Sequence, residues 1–257
     1  MLKYFLLLLI LSSTSKKLTA CICFPGNGVK DYVAADFVAQ VKIIFTSVHA
    51  AREGSIYNYV LPLRVYKSYA GNSYVIETSL TNSCAFAMDQ GGTYLVQAVV
   101  RNSYLLTDQC FGSIRLDPIP EIIGNYDAYT REHRIKVARK LKTLDTITHL
   151  GITCYDDNSF KNPIRKSSYN QVSVELNSWN QHIVLQLTYN NRYELTGKRV
   201  IQYSQLPALD SVALQMAAPR CRPKLDRKLQ PKEEYVLYPE LLFREKEGVY
   251  ELTYSGG

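Results

Sequence analysis

Five short segments between residues 35 and 106 are rich in β-branched and aromatic residues, and in the first of them apolar and polar positions alternate. In chain order they are Ala35–Phe45, Ile56–Tyr66, Tyr74–Thr78, Thr93–Val100 and Tyr104–Leu106. This alternation predicts β-strands, because successive side chains of a strand point to opposite faces. Gly71 and the pair Gly91-Gly92 supply turns between them. Pro62 interrupts the second segment, and since proline cannot donate to a strand ladder, we expect an edge or a bulge there.

Short strands joined by glycine-containing turns, with little helix between them, favour a small closed barrel. We therefore predict a mainly β fold in which residues 21–144 form a five-stranded barrel of the oligonucleotide/oligosaccharide-binding (OB) type. A flanking helix is predicted for Tyr126–Leu144, where one face repeats every four residues. That face carries Tyr129, His133, Val137 and Leu141.

The opposite face of this predicted helix is basic. It carries Arg131, Arg134, Lys136, Arg139, Lys140 and Lys142. A face of this kind is either a solvated helix surface or a binding patch for glycosaminoglycan, and the sequence leaves both interpretations open.

Residues 145–257 predict a second β-rich domain of unknown type. Its predicted strands are Gln171–Leu176, His182–Tyr189, Arg199–Tyr203, Tyr235–Tyr238 and Gly248–Tyr254. Pro219–Pro223 and the charged stretch Lys224–Glu234 are predicted to be loop. Cys154 and Cys221 are the only cysteines in this part, so we expect them to form a disulfide.

The first twenty residues have the features of a secretory signal peptide. Lys3 provides a positive start and Tyr4–Ile10 an apolar run too short to span a bilayer. We predict cleavage after Ala20 and a secreted, extracellular protein without a membrane span. Residues 1–20 hold three lysines and no acidic residue, so their removal lowers the net charge from +7 to +4. That mild charge permits weak binding to anionic matrix or glycans and argues against nucleic acid as a partner.

The six cysteines favour disulfides, because exported proteins mature in an oxidising compartment. Only Cys21 and Cys23 are close in sequence, so a zinc site built from cysteines is disfavoured. Cleavage after Ala20 makes Cys21 the first residue, and its amine and carbonyl could then chelate a metal that belongs to another protein. The alternative for Cys21 is an ordinary structural cystine.

Catalytic motifs are absent from the sequence. The histidines His49, His133, His149 and His182 are scattered without His-Glu-x-x-His spacing, and no Gly-x-Ser-x-Gly elbow occurs. We predict that the chain is not an enzyme and has no cofactor of its own. The histidines are then surface or packed polar residues.

Several short motifs occur together in the N-terminal part. They are Cys21-x-Cys23-x-Pro25 after the leader, Ala35–Lys42, Tyr66-Lys67, Ser83-Cys84, Tyr94–Ala98 and Cys110. With these motifs the chain resembles the tissue inhibitor of metalloproteinases (TIMP) family and its parent netrin-like module. The resemblance covers about residues 21–116 and extends to 144 with the helix.

The resemblance implies a secreted inhibitor of zinc metalloendopeptidases of the matrix metalloproteinase or a related type. The amine and carbonyl of Cys21 would bind the catalytic zinc of the protease, the Ile22 side chain would enter its primed-side pocket, and the loop at Ser83-Cys84 would fill the unprimed side. The implied protease-binding residues are Cys21, Ile22, Cys23, Phe24, Pro25, Asn82, Ser83 and Cys84. The implied disulfides are Cys21–Cys84 and Cys23–Cys110.

Three departures from the family pattern affect what the resemblance implies. Val33 stands where a third disulfide of the domain has a cysteine, and Ile22 is bulkier than the usual second residue. The C-terminal part has two cysteines where vertebrate members have six. The alternative function is a netrin-like module that binds extracellular matrix, glycosaminoglycan or a receptor and inhibits nothing.

Overall fold

The computed structural model describes residues 28–48, 54–71, 74–79, 86–117, 126–154, 158–160, 182–204, 206–218, 221–223, 232–246 and 249–254. The predicted signal peptide and the predicted strand Gln171–Leu176 lie outside these residues.

A closed five-stranded barrel forms the N-terminal part of the structure. Its strands are β1 (Phe37–Val48), β2 (Ser55–Lys67), β3 (Val75–Ser79), β4 (Thr93–Arg101) and β5 (Tyr104–Leu106). They are ordered β1-β2-β3-β5-β4, and pairing of β4 with β1 closes the barrel. All neighbours are antiparallel except β3 and β5. The predicted mainly β fold and closed five-stranded barrel are confirmed, and a short strand β6 (Ile114–Arg115) adds to β4.

Pro62 lies at a bulge, as its sequence context predicts. In the pairing of β1 with β2, Val41 faces Pro62 and the preceding Gln40 faces Arg64, so Leu63 is an extra residue in β2. On its other edge β2 pairs with β3 only through Ser55–Tyr59. Proline is tolerated here because the ladder is already interrupted.

Two helices accompany the barrel. The predicted helix is confirmed as α2 (Tyr126–Leu150) and continues six residues beyond the predicted end at Leu144. The helix α1 (Gly28–Ala34) is not predicted by the sequence pattern, in which Gly28 is typical of a turn. Seven residues are too few for a stable isolated helix, so α1 depends on tertiary contacts that no local pattern reveals.

A second sheet lies after the barrel in the chain. Its strands are β8 (His182–Asn190), β9 (Leu195–Gln202), β11 (Glu234–Leu237), β12 (Glu240–Lys246) and β13 (Val249–Tyr254). Strand β8 is central and pairs with β9 on one edge. On its other edge β8 pairs first with β12 and then with β11. Strand β13 pairs with β12. The helix α3 (Pro207–Ala217) packs against this sheet through Leu209 and Ala213.

Three features of the C-terminal part differ from the prediction. Cys221–Pro223, predicted to be loop, forms strand β10, which pairs with β7 (Asn158–Phe160). Neither α3 nor β12 is predicted. The apolar positions of α3, Leu209, Ala213, Met216 and Ala217, have helical spacing that could have revealed this helix.

Apolar side chains of the described residues form three clusters. One fills the barrel and one lies between the second sheet and α3. The third, here called the shared core, joins the two parts. It contains Val29 and Tyr32 of α1, Val38 of β1, Tyr66 of β2, Leu95 of β4, Leu144 and Ile147 of α2, Val184 of β8, and Tyr238.

The shared core exists because strands β1, β4 and β8 each bury apolar side chains on both faces. In β4, Tyr94 and Val96 point into the barrel and Leu95 points outward; in β8, Val184 points toward the shared core and Ile183 away from it. Side chains of a strand alternate between faces, so each strand contributes to two clusters. The division into domains at 144/145 stays a prediction, and α2 runs through that position.

Replacing Leu144 by alanine is expected to lower the free energy of unfolding by about 2–5 kcal/mol, because it opens a cavity in the shared core. Leu144 is 1% exposed. Leu150 lies on the same helix and is 42% exposed, so Leu150→Ala is the matched control, with an expected change within about 0.5 kcal/mol. Denaturant unfolding curves of the two variants would test this, and equal losses would contradict it.

Candidate functional site

The residues predicted to contact a protease, Cys21–Pro25 and Asn82–Cys84, lie outside the described residues. The structure does describe the chain on the C-terminal side of each of these two segments. Helix α1 begins at Gly28, three residues after Pro25, and Phe86 packs edge-on against Tyr94 at the barrel interior, with ring centroids 5.9 Å apart. The site that can be built from described residues is therefore the anchorage of α1.

A lysine from the barrel closes the C-terminal end of α1. Lys67 Nζ donates to the backbone carbonyls of Val33 (3.0 Å) and Ala35, with Tyr32 O at 3.4 Å. The Tyr32 hydroxyl donates to the Tyr66 carbonyl at 3.1 Å. A cation at this end also complements the helix dipole. The Tyr66-Lys67 pair noted in the sequence thus holds α1 against the barrel.

A glutamate from the second sheet closes the N-terminal end of α1. Glu240 Oε1 accepts a hydrogen bond from the Val29 backbone N–H at 3.1 Å. Glu240 is 4% exposed, and its other oxygen lies 3.3 Å from His182 Nε2. A negative charge at a helix N-terminus is favourable, since the first N–H groups have no partner within the helix.

The tautomer of His182 is set by its second partner. Gln202 Nε2 lies 2.8 Å from His182 Nδ1. An amide nitrogen donates hydrogen bonds, so Nδ1 accepts, and the ring proton on Nε2 is donated to Glu240. His182 is accordingly a packed polar residue, as its sequence context predicts.

Asp31 of α1 and Lys140 of α2 both lie next to Gly112, where an added methyl group would be 2.9 Å from Asp31 Oδ2 and 2.6 Å from Lys140 Nζ. Burial raises the pKa of Asp31 from 3.8 to about 6; Lys140 opposes this shift and Glu240 adds to it. Burial likewise lowers the pKa of Lys140. Lys140 Nζ donates to the carbonyl of Gly112. Lys140 is half-buried and turns toward Gly112, so it does not lie on the exposed basic face of α2.

Cys110, two residues before Gly112 in the chain, is disulfide-bonded. It belongs to a 3₁₀ turn, Gln109–Phe111, in which two backbone N–H groups donate to Asp108 Oδ1, at 2.7 Å from Cys110 and 3.0 Å from Phe111. Its predicted partner, Cys23, lies outside the described residues, as do both cysteines of the predicted Cys21–Cys84 bond. These two pairings stay predictions.

The predicted disulfide between Cys154 and Cys221 is not formed. Cys154 is exposed at the end of the segment after α2 and carries a free thiol. Cys221 is buried in β10, within the cluster beneath α3. The predicted pairing rests on cysteine count alone, which contains no information on these positions. Val33, which the resemblance places where a cysteine is expected, packs against the shared core.

Comparison with known proteins identifies no relative: no protein-family model matches the chain, and no curated protein matches it. Within the described ranges, no three histidine, cysteine or acidic residues are grouped so as to hold a metal ion. Within the same ranges no helix has both the length and the apolar character needed to cross a membrane.

Sequence reasoning missed the residues that anchor α1 from a distance. Glu240 is 211 positions from Val29, and neither Glu240 nor its partner His182 belongs to a recognisable motif. Lys67 is the exception, because it stands in one of the motifs that carry the family resemblance. Only the fold brings Glu240, together with its partner His182, to the helix.

Gly112→Ala is expected to destabilise the protein more than Gly91→Ala. Both glycines have positive φ, 81° and 83°, so alanine is strained at both by about 1–2 kcal/mol. At Gly112 the new methyl group would also meet the Gln97 side-chain oxygen and lie 2.6 Å from Lys140 Nζ; at Gly91 it would meet nothing within 4 Å. Steric overlap adds about 1–3 kcal/mol. Equal unfolding free energies of the two variants would contradict this.

The raised pKa of Asp31 predicts a pH-dependent stability. The folded state binds the Asp31 proton more tightly than the unfolded chain, so this contribution increases as pH falls from about 6 toward 4. When the pH is lowered from about 7.5 to about 4.5, the free energy of unfolding of the wild type should therefore rise by on the order of 2 kcal/mol relative to that of Asp31→Asn. Denaturant unfolding of both proteins across this range measures the difference, and parallel profiles would refute it.

Proposed function

We propose that the protein is a secreted inhibitor of zinc metalloendopeptidases that binds the catalytic zinc of its target through the amine and carbonyl of Cys21. The observation that carries the proposal is the anchorage of α1, which begins seven residues after Cys21 and is bound at both ends. A segment that must present two ligand atoms to a metal benefits from such a support, because a pre-ordered segment loses less entropy on binding. The closed barrel and the disulfide at Cys110 also support the proposal.

The chemistry requires a free and unprotonated α-amine. A catalytic zinc keeps one coordination position open for water, and a chelating amine and carbonyl can occupy it. An α-amino group has a pKa of about 8, so protons compete with zinc for the amine at neutral pH. The Ile22 side chain would then select proteases by the size of their primed-side pocket.

The test is an inhibition assay with a terminus of known sequence. The precursor is expressed in a secretory host, and intact mass and terminal sequencing establish that the protein begins at Cys21. Insertion of one alanine between Ala20 and Cys21 places the amine in the wrong position, and we expect at least 100-fold weaker inhibition of matrix-type zinc endopeptidases. An alanine added after Gly257 is the control and should have no effect.

Inhibition by the wild type should also weaken as pH falls from about 8 to about 6, after correction for the protease's own pH dependence. Equal inhibition by the alanine-extended protein would exclude chelation through Cys21. A start upstream of Cys21 would exclude it as well, because the proposed amine would then be part of a peptide bond.

A second candidate function is binding of a sulfated glycosaminoglycan by a netrin-like module. The observation that favours it is a row of exposed cations on α2, namely Arg131, Arg134, Lys136 and Lys142. Exposed cations of one helix can bind a polyanion in a salt-dependent manner. This function would not need a free terminus at Cys21.

The variant Arg134→Glu/Lys136→Glu tests this candidate. We expect it to leave a heparin column at lower salt than the wild type, because two cations of the exposed face become anions. Lys198→Glu/Arg199→Glu, on exposed positions of β9, is the charge-matched control. An equal shift for both variants would indicate a response to net charge and not a site on α2.

A further inference from the structure

Gly28, at the N-terminal end of α1, lies close to the C-terminal sheet and to α2. A methyl group at Gly28 would lie 3.1 Å from Glu240 Oε1 and 3.2 Å from Thr143 Cγ2. The next residue, Val29, donates its backbone N–H to the same carboxylate oxygen. The N-terminal end of α1 therefore lies between β12 and α2.

Glu240 is itself fixed by several contacts. Its backbone pairs with Val184 at the start of β12. Its carboxylate accepts from Val29 and from His182, which is held in turn by Gln202 of β9. A buried carboxylate is costly unless it is hydrogen-bonded, so these donors define one position for it. The position of the α1 N-terminus is set by that of Glu240.

Apolar packing acts in the same direction. Val29 and Tyr32 of α1 belong to the shared core together with Val184 of β8 and Tyr238. Val29 is fully buried. The second sheet therefore positions α1 as the barrel does. It contacts α1 through the hydrogen bond of Glu240 and through apolar packing with Val184 and Tyr238.

We infer that Glu240 is a positioning residue for the N-terminal inhibitory segment, and that the C-terminal sheet is therefore a working part of the inhibitor. This inference rests on the proposed function. Glu240 would not touch the protease; it acts through α1, by limiting the directions in which residues 21–27 can leave the helix. Loss of its carboxylate should loosen α1 and leave the barrel intact.

Three full-length variants test the inference. Glu240→Ala removes the acceptor for the Val29 N–H, Glu240→Gln keeps an acceptor there, and Glu234→Ala alters an exposed glutamate of the same sheet. Two quantities are measured for each: amide hydrogen exchange in residues 28–34 and in β4, and the inhibition constant against a protease that the wild type inhibits.

For Glu240→Ala we expect exchange in residues 28–34 to rise at least tenfold, exchange in β4 to stay unchanged, and inhibition to weaken at least tenfold. Glu240→Gln should keep inhibition within about threefold, because its amide oxygen still accepts from the Val29 N–H. Its amide nitrogen can donate to His182 Nε2 once the ring proton moves to Nδ1 and the Gln202 amide turns to accept it. Glu234→Ala should match the wild type in both measurements. Rescue by glutamine would distinguish positioning of α1 from a general effect of the C-terminal sheet.

The failures of the inference and of the proposed function are distinguishable. A wild-type protein that begins at Cys21 and inhibits no zinc endopeptidase would overturn the function and this inference together. Inhibition by the wild type that is unchanged in Glu240→Ala would overturn the inference alone. Faster exchange in β4 to the same extent as in α1 would overturn it too, because Glu240 would then act only on global stability.

Discussion

Two opposite charges at the ends of a seven-residue helix organise this structure. The Lys67 ammonium binds the last carbonyls of α1, and the Glu240 carboxylate binds the Val29 N–H in its first turn. A helix of this length gains little from its own hydrogen bonds, so its stability and direction come from these partners. One partner belongs to the barrel and the other to the C-terminal sheet. Helix α1 is therefore held by both parts of the structure.

The apolar counterpart of this arrangement is the shared core. Strands β4 and β8 each bury apolar side chains on both faces. In each sheet, the face directed toward α1 and α2 therefore carries buried apolar residues. Separation of the two parts would expose Leu95 and Val184 to water, at about 1.5–3 kcal/mol for each such side chain. The hydrogen bonds of Glu240 and Lys67 to α1 lie beside this apolar layer and fix the orientation of the helix.

Local patterns predict a large share of the fold but little of the anchorage. The five barrel strands, the bulge at Pro62 and helix α2 are predictable from alternation, proline chemistry and helical spacing, which act within a few residues. Helix α1 could not be predicted this way, because Glu240 is distant in the chain. The predicted Cys154–Cys221 bond is wrong for the related reason that cysteine count does not encode spatial position. The inhibitory terminus stays a prediction that the family resemblance supplies.

The bulge in β2 has a consequence for the behaviour of the protein at high concentration. Leu61, Leu63 and Val65 are each about half exposed, and within the described ranges no strand pairs with the outer edge of β2 beyond Val60. An apolar edge of this kind ordinarily recruits strands from other molecules. Pro62 has no backbone N–H to donate. The extra residue Leu63 shifts the hydrogen-bonding register of β2 by one residue. The proline and the bulge therefore disfavour a continuous intermolecular ladder along this edge of β2.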